Sequence, residues 1–289
     1  MTRIHPTAII HPGAQLGLDV SVGPYSLVDA AAVIGDRTQI GSHVVIRGQV
    51  HMGTDNIVGA GSALGEPAQH LHAGAGGGVV MGSHNCLRER VTIHAAMDAG
   101  RQTVLGDHNY LMVNAHVAHD CVVGDHTILV NNVMLGGHVI VQDRAYVGGG
   151  AGIHQHCRVG RNAIVGGTAC ITQDVPPFVT VDGMGAQIVG LNTIGLRRSG
   201  YSRQDMLQLK AAYRLIYRSG LRWSEVLEEL QLRFSSGPAA AFREFFLTGT
   251  RGYIQERKTP RGAVVRLVMG TEEDETPATP SRQRNRRVA

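Results

Sequence analysis

An aliphatic residue recurs at every sixth position of this chain. From Ile4 the series runs through Ile10, Leu16, Val22, Val28, Ile34, Ile40, Ile46, Met52, Val58 and Leu64. It lapses over residues 66–78, resumes at Met81, Leu87 and Ile93, and lapses again over 95–103. It then holds without a miss from Leu105 through Leu111, Val117, Val123, Leu129, Leu135, Val141, Val147, Ile153, Val159 and Val165 to Ile171. Six is not a multiple of the helical period, but it is three times the strand period of two, with room for a corner. A short strand and a tight turn per hexapeptide, three hexapeptides per coil, build a triangular parallel β-helix with the aliphatic residue pointing inward. Glycine follows the aliphatic residue at 17, 23, 35, 41, 53, 59 and 65, where it is expected to serve the backbone geometry of the corner. Coils stack at about 4.8 Å, so the repeats predict a column roughly 40 Å tall. The two lapses read as loops projecting from it, and long loops on rigid scaffolds are where function concentrates.

Composition changes where the repeat stops. Of 38 glycines, 31 precede residue 200, while nine of the 13 aromatic residues lie at or beyond Tyr201. The predicted organisation is a β-helix domain at 1–190, a small α-helical domain at 191–258, and a disordered tail at 259–289 in which 263–269 is the one apolar stretch. In the helical part, Ser202 and Asp205 form a capping box. Met206, Leu209, Tyr213, Ile216 and Tyr217 share one helix face, which ends at Gly220. Trp223, Val226, Leu227, Leu230 and Phe234 mark a second helix, and Pro238 opens a third containing Phe242, Phe245 and Phe246.

Several classes are excluded or disfavoured. No apolar run is long enough to cross a bilayer, so no integral membrane segment is expected. The N-terminus lacks the apolar stretch of a signal peptide, which predicts a cytoplasmic protein. The cysteines Cys86, Cys121, Cys157 and Cys170 form no C-x-x-C pair and read as reduced, small core residues. A net charge of +4 with no Lys/Arg block beside aromatics gives no nucleic-acid site.

An 18-residue coil decides which side chains stand above one another. His119, Gly137 and Gln155 share one column; Asp120, His138 and His156 share the next. His116 and His154 flank inward-facing residues and should point outward. Imidazoles near neutral pH are the usual general bases, and a glycine N–H beside one is a candidate oxyanion donor. His5, His11, His43, His51, His84, His108 and His126 read as surface residues scattered along the column.

The run Asn114-Ala115-His116-Val117-Ala118-His119-Asp120-Cys121 resembles the signature of the bacterial UDP-N-acetylglucosamine O-acyltransferase family of hexapeptide-repeat transferases, which takes the first step of lipid A synthesis. Further matches are Val91-Thr92-Ile93-His94, Leu135-Gly136-Gly137-His138, His154-Gln155, Gln173-Asp174-Val175-Pro176-Pro177, Leu215-Ile216-Tyr217-Arg218-Ser219-Gly220 and Thr250-Arg251-Gly252. The likeness spans residues 4–254. It implies a left-handed β-helix and a homotrimer with sites between subunits. The implied donor is a 3-hydroxyacyl group on acyl carrier protein, the acceptor UDP-N-acetylglucosamine, and no cofactor or metal is used. By the resemblance His119 is the general base, Asp120 orients it, and Gly137 N–H holds the oxyanion. Gln69, His72, His94, His116, His138, His154 and Gln155 would contact substrate. Asn192 and Arg198 would contact the nucleotide, and Gly167 would set acyl length, leaving room for a longer chain.

This chain departs from the family on the acceptor side. Gln69-His70-Leu71-His72 replaces Gln-Asp-Leu-Lys, Ala95-Ala96 replaces Arg-Gly, Asn192-Thr193-Ile194-Gly195 replaces Asn-x-Glu-Gly, and Ser199 replaces a second arginine. A 3-amino-3-deoxy analogue of the acceptor is therefore an alternative. Others are a zinc hydrase of the gamma carbonic anhydrase type, a non-catalytic spacer, and another hexapeptide acyltransferase. Arg203, Arg214, Arg218 and Arg222 suggest a docking face for an acidic carrier protein.

Overall fold

Three faces of parallel strands wind into a triangular column in the computed structural model, which describes residues 1–74 and 76–258. The sheets contain eleven, nine and eight strands. Through the column each strand pairs with the one three places on in the chain, a rule that ends at the edge of the eleven-stranded sheet, where Ile164–Val165 pairs with Val179–Val181, two places on. The fold is a mainly β, left-handed parallel β-helix of hexapeptide repeats followed by α-helices. Register between coils is 18 residues over the unbroken run: Val117 faces Leu135, and Leu135 faces Ile153. The two lapses lengthen single coils. Leu64 pairs with Ile93 across the first, and Ile93 with Val117 across the second.

The hexad residues form the interior; from Val22 to Ile171 they are at most 4% exposed. Ile4 at the open N-terminal end is 46% exposed, because no coil covers it. A polar line runs inside the wall. Asn85 N–H donates to Asn56 Oδ1, Asn109 N–H to Asn85 Oδ1 and Thr127 N–H to Asn109 Oδ1, at 2.7–2.9 Å. These side chains satisfy corner amides that the strand ladders leave over.

Most of the glycines after a hexad residue have a different cause from the one their position suggests, Gly65 with its φ of +80° being the exception among those at 17, 23, 35, 41, 53, 59 and 65. Gly23 and Gly59 lack the positive φ of a left-handed corner. An added Cβ would instead come within 2.6 Å of the Gly41 carbonyl carbon and 2.5 Å of that of Arg88, so the stacked coil excludes a side chain. The left-handed position lies two residues later, with φ near +60° at Asp19, Arg37, His84, His108, Asp120, His126 and His138. Histidine occupies it repeatedly, and His84, His108 and His126 stack face to face at 4.7 and 4.8 Å. They form a stacked ladder of exposed side chains along the surface of the column.

Beyond the column, strand Ile188–Leu191 turns back antiparallel on Val179–Val181. Helix α1 (Thr193–Arg198), which the apolar pattern does not announce, follows it. Helices α2 (Arg203–Arg218), α3 (Trp223–Arg233) and α4 (Ala240–Leu247) follow in turn. The Ser202–Asp205 capping box is present, and Gly220 past α2 has φ of +75°. Phe178 sits fully buried at the column's end, 5.4 Å from Phe242 and 5.9 Å from Tyr201 in edge-on contacts. Arg158 fastens the column to α4. It pairs with buried Asp174 at 2.7 Å, donates to the Phe245 carbonyl at 2.8 Å and lies 4.0 Å over the Phe245 ring. Among the described residues no helix is long and apolar enough to cross a membrane. The expectations for residues 259–289 lie outside the described residues.

Candidate active site

Stacking places two columns of polar side chains at one corner. His119 is 8% exposed, and its Nδ1 lies 2.9 Å from Asp120 Oδ2. The same carboxylate oxygen accepts from the Met97 N–H at 3.1 Å, and Asp120 N–H donates to Thr103 Oγ1. Burial alone would raise the Asp120 carboxyl, but the hydrogen bonds from His119 and Met97 hold it below its ordinary value. A permanent carboxylate against Nδ1 leaves His119 Nε2 as the free basic atom. The second lapse thus contributes an N–H, from Met97, that holds the carboxylate in place.

Gly137 stacks on His119. Its N–H has no hydrogen-bond partner among the described residues, whereas its carbonyl accepts from His156 N–H at 3.0 Å. Four more imidazoles surround His119: His138 at 5.2 Å edge-on, His70 at 6.0 Å, and His94 and His116, themselves 5.2 Å apart. His138 is stacked on His156 at 4.5 Å. His94 Nδ1 meets the Pro67 carbonyl at 2.8 Å, and His116 Nδ1 meets Thr92 Oγ1 at 2.7 Å. Burial pushes His116 down to about 4, with His94 and His119 adding to the shift. It also lowers His94, and lowers His138 against the pull of Asp120. These rings are neutral near pH 7 and offer hydrogen bonds rather than charge.

A cleft of about 520 Å³ opens in front of this corner. Gln69 and His70 from the first loop line one side, and His116, His119, Gly137, His154 and Gln155 line the column side. Met134, Gly152 and Cys170 make an apolar strip along its floor. Cys170 is therefore exposed on the cleft and is not a core cysteine like Cys121 and Cys157.

Other residues singled out in the sequence stand elsewhere. His72 is exposed, 5.9 Å from His70, and does not line the cleft. Gly167 is exposed at the neighbouring corner, beside Gly149. Asn192 is buried; its Nδ2 donates to the Asn162 carbonyl and its Oδ1 accepts from Gly195 N–H, capping α1. Arg198 is exposed in the last turn of α1. Of the arginines proposed as a docking face, Arg218 pairs with Glu256 and Arg222 with Glu225, while Arg203 and Arg214 are exposed. His70, which the spacing alone could not bring to the centre, is a wall of the cleft. Its signals were its place in the first lapse and in the run Gln69-His70-Leu71-His72, where the chain departs from the family.

The side chains of His119, Asp120 and His138 each offer one ligand atom, all within 4.8 Å of one another, and could hold a divalent metal. The same atoms could move a proton and stabilise an oxyanion. Profiles of known families bear on that choice. The second domain of UDP-N-acetylglucosamine O-acyltransferase matches residues 174–254, and bacterial transferase hexapeptide repeats match 31–66 and 102–137. Among solved structures, LpxA from Acinetobacter baumannii is 37% identical, covering 87% of this chain and 99% of that one, with a TM-score of 0.83. The UDP-N-acetylglucosamine O-acyltransferase (LpxA) of Moraxella catarrhalis RH4 has the same identity, coverage and TM-score: 37%, 87% and 99%, and 0.83. UDP-N-acetylglucosamine acyltransferase from Campylobacter jejuni is 33% identical over 88% of this chain and 100% of its own, also with a TM-score of 0.83.

Proposed function

The chain belongs to the UDP-N-acetylglucosamine O-acyltransferase family, and we propose that it transfers a 3-hydroxyacyl chain from acyl carrier protein to the sugar 3-hydroxyl of UDP-N-acetylglucosamine. This is the first step of lipid A biosynthesis, carried out in the cytoplasm by a homotrimer. His119 Nε2 takes the hydroxyl proton as the sugar oxygen attacks the thioester carbonyl. Asp120 keeps the ring oriented and stabilises the imidazolium that forms. The tetrahedral oxyanion accepts from Gly137 N–H. As the carbon–sulfur bond breaks, His119 returns the proton to the departing thiolate. The thioester is already activated, so the chemistry needs no cofactor.

One observation carries the reading: an oriented imidazole, on His119, and a backbone N–H with no hydrogen-bond partner among the described residues, on Gly137, belong to residues that line the same cleft. His94, His116 and His138, neutral at pH 7, and Gln69, His154 and Gln155 hold the sugar and the acyl head. The apolar strip at Met134 and Gly152 receives the chain, with Gly167 at the next corner limiting its length and His72 beyond the cleft mouth. Arg198 meets the diphosphate as a guanidinium suits, and Asn192 serves by anchoring the helix that carries it. In this reading the 1–190 domain supplies the chemistry and the 191–258 domain the nucleotide and carrier contacts.

The decisive assay offers purified protein a series of acyl carrier proteins with UDP-N-acetylglucosamine and its 3-amino analogue in parallel. Product with the hydroxyl sugar supports the proposal, and product with the amine alone moves the acceptor. His119→Ala should lower the rate by about 1,000-fold. An unchanged rate refutes the role of His119, and no product from either sugar refutes the function.

A further inference from the structure

The run Thr250-Arg251-Gly252 follows α4, yet its arginine reaches a histidine that lines the cleft. The segment is tied to the edge of the column: Asp174 N–H donates to the Gly252 carbonyl at 3.0 Å, and Ile254 N–H donates to the Asp174 carbonyl at 2.9 Å. Gly252 turns there with φ of +68°, a conformation glycine adopts without strain. The turn leaves Arg251 Nη2 at 3.1 Å from His154 Nδ1 and 3.3 Å from the Thr172 carbonyl oxygen.

These contacts bear on where the His154 proton sits. A guanidinium donates and never accepts, so its contact with Nδ1 is a hydrogen bond only when Nδ1 carries a lone pair. Nδ1 also lies 3.2 Å from the Gln155 carbonyl oxygen, which only accepts and so asks for the opposite tautomer. Nδ1 cannot satisfy both. A charge-assisted hydrogen bond is roughly twice as strong as a neutral one, and the arginine contact is also the shorter.

We infer that Arg251 is a positioning residue that fixes His154 as the neutral Nε2–H tautomer, so that this ring presents a hydrogen-bond donor to the cleft it lines. The donor suits an oxygen acceptor of the substrate, a carbonyl or a hydroxyl. Without Arg251 the ring turns its proton to the Gln155 carbonyl, and Nε2 becomes an acceptor. The substrate part of this inference rests on the acyl-transfer reading; the tautomer does not.

The test is nitrogen-15 NMR of ring-labelled histidines in the full chain, with His154 assigned by the signal lost in His154→Gln. The native protein should show His154 protonated at Nε2. Arg251→Lys, which keeps a pure donor, should retain that tautomer, and Arg251→Met should move the proton to Nδ1. In parallel kinetics Arg251→Met should raise KM about 10-fold, as one lost hydrogen bond would, with kcat changed less and Arg251→Lys partly restoring affinity. A native His154 protonated at Nδ1, or an unchanged tautomer in Arg251→Met, overturns the inference. Should Arg251→Met fail to fold, the native spectrum alone decides. Failure of the acyl-transfer reading would appear separately, as absence of product from the native enzyme.

Discussion

The imidazole of His119 lies against the α-carbon of Gly137 so closely that a methyl group there would stand 2.5 Å from its Cε1 and 2.6 Å from its Nε2. Only glycine lets the proposed general base and the proposed oxyanion donor share one corner. Gly137 lacks a positive φ, so alanine is tolerated by the backbone but not by the ring. Gly137→Ala should lower kcat by about 100-fold or more while the thermal midpoint moves by only a few degrees. Full activity in that variant would show that His119 is free to move and that the contact is incidental.

Acid should weaken the fold through imidazoles whose partial or full burial disfavours the charged form. His116 titrates at about 4 in the folded chain and at about 6.5 when unfolded. Between those values the unfolded state binds more protons, so stability falls as pH drops from about 6.5 towards 4. His94 and His138 shift in the same direction. Urea midpoints measured across that window should fall in the native protein and fall less steeply in His116→Gln. Parallel slopes would contradict the assignment.

The Arg158–Asp174 pair joins the column to α4 with both side chains largely out of water, 13% and 2% exposed. Removing one partner strands the other charge, so Asp174→Asn or Arg158→Met should cost about 3–5 kcal/mol. Chemical denaturation gives the number directly. A loss below about 1 kcal/mol would mean that water replaces the missing partner.

The ligand atoms of His119, Asp120 and His138 lie within 4.8 Å of one another, a set that suits zinc better than magnesium. Zinc should therefore inhibit acyl transfer, a chelator should restore it, and magnesium should have no effect. Stoichiometric zinc required for activity would instead favour the hydrase alternative.

Arg203 and Arg214 are exposed on α2, whereas Arg218 and Arg222 are held by Glu256 and Glu225. An acidic carrier protein docking there should show a KM that rises with ionic strength. Arg203→Glu with Arg214→Glu should raise it further at low salt and leave the KM of the UDP-sugar unchanged. A salt-independent KM would place docking elsewhere.

Periodicity was legible because each hexapeptide repeats the same local problem. A residue such as Val117 must face inward whatever lies elsewhere, and an 18-residue coil then stacks His119 under Gly137 by arithmetic alone. The same arithmetic put Asp120 beside His138. It misread the glycines, because close stacking and corner geometry leave the same mark in sequence, and only the stacked neighbour of Gly23 tells them apart.

What the sequence determined by itself was the column, its interior and the residues that share a corner, all consequences of a short-range pattern. Tertiary structure alone decided what closes around that corner. The first loop carries His70 to His119, Asn192 is spent on capping α1, and Arg251 reaches His154 from 97 positions away. No repeat encodes those meetings; they follow from where aperiodic segments return after burying their own apolar faces, which depends on the whole fold.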